Sequence, residues 1–470
     1  MPSLTERLSA AGQDHLLDAL DRLDADGRAR LAAQIEAIDL ARIGRLFRDL
    51  THDGSRGFAN LEPPDVIPLP SDEVGRARER EARDAGEELL RANRVAAVLV
   101  AGGQGTRLGF HGPKGAFPFA PITGRILFAH HAAKIAAARR RYGCNLPWYV
   151  MTSPQNDAET RDLFARNAQF GLPEDSIRIF VQGTMPAVDG TSGRILLEAP
   201  DRVATSPDGH GGLFPALARH GLLAAMRERG IETFFTFQVD NPLTRVARPE
   251  FLGAHVLAAA EMSNVVVRKL SPEERMGVVA RQDGRTTLVE YSDLPDDLAR
   301  ACDPHGELVF WAGSIAVHAV DVALAERITA GGGGLPFHAA IKPVAHVDPT
   351  GTLVSPDAPN AVKFESFIFD ALPLATRVCS LEAAREDEFS PIKNADGADS
   401  PATARRDLNR AYARWLEAAG VDVPRDETGE PAVDIEIDPR YATNARELKR
   451  RITSGFRVTG PTVLEPPAGG

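Results

Sequence analysis

Cysteine is nearly absent: Cys144, Cys302 and Cys379 are the only three in 470 residues, far apart, with no CxxC pair and no Cys/His cluster. That excludes a disulfide framework and a zinc site of familiar spacing, and it makes a reducing cytoplasm the expected location. Long apolar runs are missing too. No uninterrupted stretch could span a bilayer, and the opening MPSLTERLSAAGQDHLL lacks a basic start followed by an apolar core, so neither a membrane segment nor a secretory leader is expected. Basic charge is in deficit: 54 Lys and Arg against 65 Asp and Glu give a formal net charge of -11. This argues against an extended nucleic-acid face but leaves room for a local basic pocket that takes small anions. Internal repeats and long low-complexity tracts are absent.

What is present is concentrated in residues 95–119, VAAVLVAGGQGTRLGFHGPKGAFPF. A run of Val, Ala and Leu bounded by glycines fits a central parallel strand. A glycine loop at its C-terminal end lets backbone N–H groups approach an anion, at the edge where open parallel sheets bind ligands. Gly102, Gly103, Gly105 and Thr106 form this loop, and Arg107 and Lys114 add two cations. Two phosphate loops are excluded by spacing. A P-loop needs glycine followed by Lys and Ser or Thr, but Gly105 is followed by Thr106 and Arg107; the dinucleotide fingerprint needs glycine where Leu108 stands.

The rest of the chain alternates. Apolar residues from Ser3 to Leu50 fall near helical spacing, and ANLEPPDVIPLPS, residues 59–71, has four prolines and reads as an extended connector. A charged helix over 73–93 precedes the first strand. Helices are predicted over 126–141, 157–170 and 215–229, and strands over 148–152, 177–182 and at FFTFQVDNP, 234–242. Such alternation implies βαβ units and a mostly parallel sheet between helices. GVVARQDGRTTLVEY, residues 277–291, instead predicts an antiparallel hairpin turning at Asp283-Gly284. The expected layout is a helical arm and connector over 1–93, a core domain over 94–423 and a small appendage over 424–470.

The string GGQGTRLG followed by PKG closely resembles the signature of the UDP-sugar pyrophosphorylases, type 1, and among them the N-acetylglucosamine enzymes. Further ordered matches, from Val95 to Asn409, include TSPDGHGGLF, MGVVARQDG with VEYSDL, VFWAGSIAVH, KFESFIFDALPLA and EFSPIKNA. The resemblance implies a Rossmann-like, GT-A-like nucleotidyltransferase fold, with the catalytic domain at 94–423. It implies UTP and a sugar 1-phosphate as substrates and a UDP-sugar and pyrophosphate as products. It assigns Arg107, Lys114 and Lys393 to the phosphates and the departing pyrophosphate. Gln182, Gly209 and His210 match base-side positions, while Gly277, Glu290, Ser314, Phe367 and Phe369 match sugar-side positions. Asp240, closing the strand FFTFQVDN, falls where such enzymes place an acid near the metal. Mg²⁺ suits it, because this ion prefers one or two carboxylates plus substrate phosphates over a full protein cage.

Two departures bear on the sugar. His210 stands where the N-acetylglucosamine enzymes carry Asn, making DGHGG similar to a string of the UDP-glucose and broad-specificity enzymes. Trp311 and Ser314 stand where the segment FNAGNIA of those enzymes carries Asn, so two amide side chains are missing. The expectation is Mg²⁺-dependent transfer of a uridylyl group from UTP to N-acetylglucosamine 1-phosphate, with UDP-glucose or broad-specificity synthesis as the alternative. A nucleotide-sugar-binding regulator without turnover is the rival from another class; an NAD-dependent oxidoreductase lacks the glycine spacing. Oligomeric state leaves no mark in the sequence.

Overall fold

The computed structural model describes residues 2–52, 60–348 and 350–467. Ala59, where the proline-rich connector was expected to begin, and the last three residues of the tail lie outside the described residues. Two compact units interleave along the chain. One comprises Met1–Gly57, Gln182–Pro215 and Gly333–Asp370; the other comprises Phe58–Val181, Ala216–Gly332 and Ala371–Gly470.

The larger unit holds a ten-stranded mixed sheet. Its principal strands are β1 (Val95–Val100), β2 (Trp148–Thr152), β3 (Ile177–Val181), β4 (Thr233–Gln238), β5 (Met262–Arg268), β6 (Val278–Gln282), β7 (Arg285–Val289), β8 (Ala312–Asp321) and β9 (Val378–Glu382). The order β4-β1-β2-β3 is parallel throughout, and β8 adds antiparallel to β4. All six residues of β1 are buried, as a strand covered on both faces by helices requires. The β6–β7 hairpin forms as predicted, since Asp283 (φ 49°) and Gly284 (φ 78°) both adopt the positive φ of a two-residue turn.

Around the sheet lie helices α1 (Glu73–Arg91), α2 (Leu127–Tyr142), α3 (Asp157–Arg166), α4 (Pro249–Leu257), α5 (Pro401–Ala418) and α6 (Ala445–Arg451). Helices α1 and α4 meet through glycines. A Cβ on Gly253 would lie 1.6 Å from the Ala82 carbonyl oxygen, and one on Gly86 would lie 1.9 Å from that of Pro249. Residues after 424 add Ile435, Ile437, Leu448 and Leu464 to the core built by β1, β2 and α2.

In the smaller unit four helices, Leu4–Ala10, His15–Asp21, Ala25–Glu36 and Leu40–His52, replace the near-continuous helical pattern read from the sequence. Side-chain caps at Ser3 and Asp24 start two of them. Leu8, Leu16, Leu31 and Ile35 pack with Val188, Ile195, Val362 and Phe364. The accompanying sheet pairs Phe337–Lys342 with Ala361–Ser366 and the latter with Val188–Asp189.

Two helix predictions need correction. The span 215–229 is two helices, Leu213–Arg219 and Leu222–Glu228, because Gly221 takes φ +68°. Helix α3 stops at Arg166, well before Phe170, where Gln169 and Phe170 both adopt positive φ.

Candidate active site

The glycine loop leaves β1 at the carboxyl edge of the parallel strands and is held from inside. Asn156, fully buried after β2, donates from Nδ2 to the carbonyl oxygens of Ala101 at 2.9 Å and Gly103 at 3.2 Å. The loop also closes on itself. The Gly105 N–H donates to the Gly112 carbonyl at 2.9 Å, and the Lys114 N–H to that of Gly103 at 3.1 Å. A Cβ on Gly105 would stand 2.7 Å from the Phe110 ring, so this glycine is required by the fold-back itself. Thr106 and Arg107 lie exposed on a short 3₁₀ turn, Thr106–Leu108. Gly102 is half-buried and Gly103 exposed at the strand exit.

Strand β4 pairs with β1 and delivers Asp240 beside this loop. The Lys114 Nζ lies 3.1 Å from Asp240 Oδ2, with 17% and 19% of the two side chains exposed. The loop that carries Lys393 is tied to the same strand end. The Ile392 N–H donates to the Asp240 carbonyl oxygen at 2.8 Å. Next to it Asn241 donates from Nδ2 to the Glu388 carbonyl at 2.7 Å and accepts the Ser390 N–H at 3.1 Å. Lys393 itself lies 3.2 Å from Asp399 and 5.5 Å from the Phe389 ring centroid. Segments nearly 300 residues apart in sequence (Lys114 and Lys393) thus share one strand end.

Elsewhere in the larger unit, Gly277, Glu290 and Ser314 gather where β6, β7 and β8 meet. The Ser314 N–H donates to the Gly277 carbonyl at 2.9 Å, and Val278 pairs with both Gly313 and Val289. A Cβ on Gly277 would stand 2.7 Å from Leu288. Ala316, two residues beyond Ser314, has φ 55° within β8, where the pairing with β5 shifts register. Trp311 lies under the Arg268 guanidinium, 4.5 Å from its ring centroid.

In the smaller unit, the other residues read from the sequence converge. Gln182 is buried and is followed by Gly183, whose carbonyl accepts the Asp208 N–H at 3.1 Å. The Ser366 N–H in turn donates to the Asp208 carbonyl at 2.8 Å. Gly209 (φ +84°) and Gly211 lie against this chain: a Cβ on either would come within 2.3 Å of Ser366 O or 2.6 Å of Phe367 N. His210 accepts the Ile368 N–H at Nδ1, 3.0 Å away, so the neutral ring carries its proton on Nε2. Burial lowers its pKa to about 4. Phe367 and Phe369 stack with centroids 5.1 Å apart and enclose His210, while His338 sits 4.7 Å from Phe367 and bonds Asp370 at 2.7 Å. The FIF segment leads into a 3₁₀ helix, Ile368–Leu374.

Asn156, Asn241, Glu388 and the His338–Asp370 pair were not singled out from the sequence. Asn241 had a signal, standing between Asp240 and a proline; the others act through partners remote in sequence. Among the described residues no group of three or more His, Cys, Asp or Glu forms a metal cage. A single carboxylate with a lysine at its side still fits a cation whose remaining ligands are phosphate oxygens and water.

A glycine loop and an acid at neighbouring parallel strand ends, flanked by lysines, suit a nucleotidyltransferase. The chain matches the UTP–glucose-1-phosphate uridylyltransferase family over residues 46–404 and belongs to it. It is 36% identical to the human UDP-N-acetylhexosamine pyrophosphorylase-like protein 1, over 98% of this chain and 96% of that protein. Identity is 34% to the UDP-N-acetylglucosamine pyrophosphorylase of Saccharomyces cerevisiae, over 88% of this chain and 90% of that one. The crystal structure of the Trypanosoma brucei UDP-N-acetylglucosamine pyrophosphorylase superposes with a TM-score of 0.83 at 28% identity, covering 98% and 97% of the two chains. The family and the nucleotidyltransferase fold expected from the glycine loop are both borne out. The protein is an enzyme that transfers a uridylyl group to a sugar 1-phosphate.

Proposed function

We propose that the sugar is N-acetylglucosamine and that the reaction is a direct in-line displacement. The observation that carries the phosphate chemistry is the convergence on Asp240: Lys114 at its carboxylate, the Lys393 loop at its carbonyl. A phosphate oxygen of the sugar 1-phosphate attacks the α-phosphorus of UTP; that P–O bond forms as the α–β bridging P–O bond breaks, and its electron pair leaves on pyrophosphate. Arg107 and Lys114 bind the triphosphate and stabilise charge as it builds on the leaving group, and Lys393 neutralises the phosphates being joined. Mg²⁺ held by Asp240 and the phosphates would supply further charge neutralisation. Backbone N–H groups of Gly102, Gly103 and Thr106 orient the phosphates, and Gly105, whose N–H is taken by the Gly112 carbonyl, holds the loop in shape.

Gln182 and the backbone at Gly209 read the adjacent donor and acceptor groups of uracil, and His210 offers its Nε2–H. Gly277, Glu290 and Ser314 serve the sugar: Glu290 accepts from hydroxyls, Ser314 offers a short hydroxyl, and Gly277 leaves space. Phe367 and Phe369 supply an apolar wall for the acetamido methyl. The names carried by the yeast and trypanosomal relatives support the N-acetylglucosamine reading, and that of the human relative supports an N-acetylhexosamine. The three cysteines are unpaired, and no helix among the described residues is long and apolar enough to cross a membrane; a cytoplasmic location suits both. A competition assay offering N-acetylglucosamine, glucose and galactose 1-phosphates together tests the sugar. N-acetylglucosamine 1-phosphate is expected to give the largest kcat/KM, and equal use of all three would overturn this reading.

A further inference from the structure

A cavity of about 480 Å³ opens within the larger unit, lined by none of the residues assigned above to UTP or sugar. Its walls are α1, α2, α5, α6 and the segment 242–250. The volume falls in the range of small-molecule pockets. Its lining is aromatic and, with seven basic against four acidic side chains, net cationic: Lys134, Arg245 and Arg248 face it together with Tyr142, Tyr412 and Trp415.

The cations are incompletely satisfied. Lys134 donates only to main-chain carbonyls, those of Pro242 and Thr244, and burial lowers its pKa to about 7. The Arg245 guanidinium lies 3.8 Å from Glu250 and 3.9 Å from Glu388, too far to donate a hydrogen bond to either. Arg248 is 9% exposed and donates from one terminal nitrogen to Glu388 at 3.1 Å, while its Nε stands 3.5 Å from Glu250 Oε2 without a hydrogen bond. The Thr244 hydroxyl, wholly buried in the same wall, has none either. Buried donors left without acceptors cost free energy that a bound acceptor recovers.

We propose that this cavity is a regulatory site for a small organic anion, a carboxylate or phosphate borne on a planar ring. The acid group is held by Arg245, Arg248 and Lys134, and the ring lies against Tyr412 and Trp415. The cavity is wired to the transfer site as assigned above, and this coupling rests on that assignment. Glu388 accepts from Arg248 and from the Arg245 N–H at 3.2 Å, and its carbonyl accepts from Asn241. Asn241 and Asp240 in turn fix the segment from Ser390 to Ile392 that leads to Lys393. An anion competing with Glu388 for the two arginines therefore loosens the segment that carries a phosphate-binding lysine.

Calorimetric titration of the whole protein with phenyl phosphate, benzoate and neutral benzamide tests binding independently of turnover. Either anion is expected to bind at least roughly tenfold more tightly than benzamide. Arg245→Met is expected to remove most of that preference and also to lower the thermal midpoint, because Arg245 opposes the buried carboxylates of Glu250 and Glu388, whereas Arg245→Lys is expected to keep both the fold and the preference; saturating UTP should not displace the anion. Binding of all three alike, or of none, overturns the site, as does displacement by UTP. In the pyrophosphate-release assay the bound anion is expected to change kcat or KM by roughly fivefold or more, and this effect should vanish in Arg245→Met. Anion binding that leaves both constants unchanged overturns the coupling alone. A wild-type enzyme that releases no pyrophosphate with any sugar phosphate overturns the functional assignment and leaves the titration result standing.

Discussion

Lys114 does two things that separate on measurement. Its ammonium meets Asp240 at 3.1 Å in a partly exposed setting, where an ion pair adds little to stability. In its proposed role as a phosphate cation it would act on charge that develops during transfer, where a single donor is worth about 10²–10³ in rate. Lys114→Met is therefore expected to lower kcat/KM for UTP by that order while the urea midpoint moves little. A large loss of stability with activity retained would contradict the assignment. His130 and His131 show the opposite emphasis. Both are buried, each with Nε2 against a main-chain carbonyl, Pro242 for one and Val239 for the other. Burial lowers both pKa values, that of His131 to about 3. With folded values depressed, the unfolded chain takes up protons first as the pH falls below about 6.5. Stability is fully present above that pH and declines toward pH 3. Urea unfolding at pH 7 and pH 5 should differ by about 2 kcal/mol on account of His131, with a further loss in the same direction from His130. The buried carboxylate of Glu250, with its pKa lowered to about 2, loses its contribution only at lower pH. An unchanged unfolding free energy at pH 5 would contradict this account of the two rings.

Among the elements, the closest approach is between α1 and α4, where Gly86 and Gly253 let two backbones touch. Neither clash can be relieved by a side-chain rotation, because the opposing atoms are carbonyls. Gly253→Ala is expected to cost at least about 3 kcal/mol in urea unfolding, as overpacking against backbone does. A loss below about 1 kcal/mol would show that the helices separate easily. Elements defined by local chemistry were legible in the sequence: β1 and its glycine loop, β2 from Trp148 to Thr152, and the Asp283-Gly284 hairpin. Elements decided by tertiary contact were not. The break at Gly221 looks like a tolerated glycine in a helical pattern, and the FIF segment bends because it must cross Gly209 and Gly211. At the site, the residues within recognisable strings were found, whereas Asn156 and Glu388, whose partners lie elsewhere in the chain, carry no local mark.

Over the whole molecule, the division into two units places Arg107, Lys114, Lys393, Asp240 and the Gly277–Glu290–Ser314 corner in one, and Gln182, Gly209, His210 and the Phe367–Phe369 stack in the other. Each group is internally organised by hydrogen bonds from remote segments, so neither depends on a single loop. The central claim is uridylyl transfer from UTP to a sugar 1-phosphate, and phosphorus NMR of the purified protein with UTP, Mg²⁺ and N-acetylglucosamine 1-phosphate tests it most directly. Pyrophosphate and UDP-N-acetylglucosamine are predicted to appear in equal amounts as both substrates disappear. Unchanged spectra with this acceptor and with glucose and galactose 1-phosphates would contradict it.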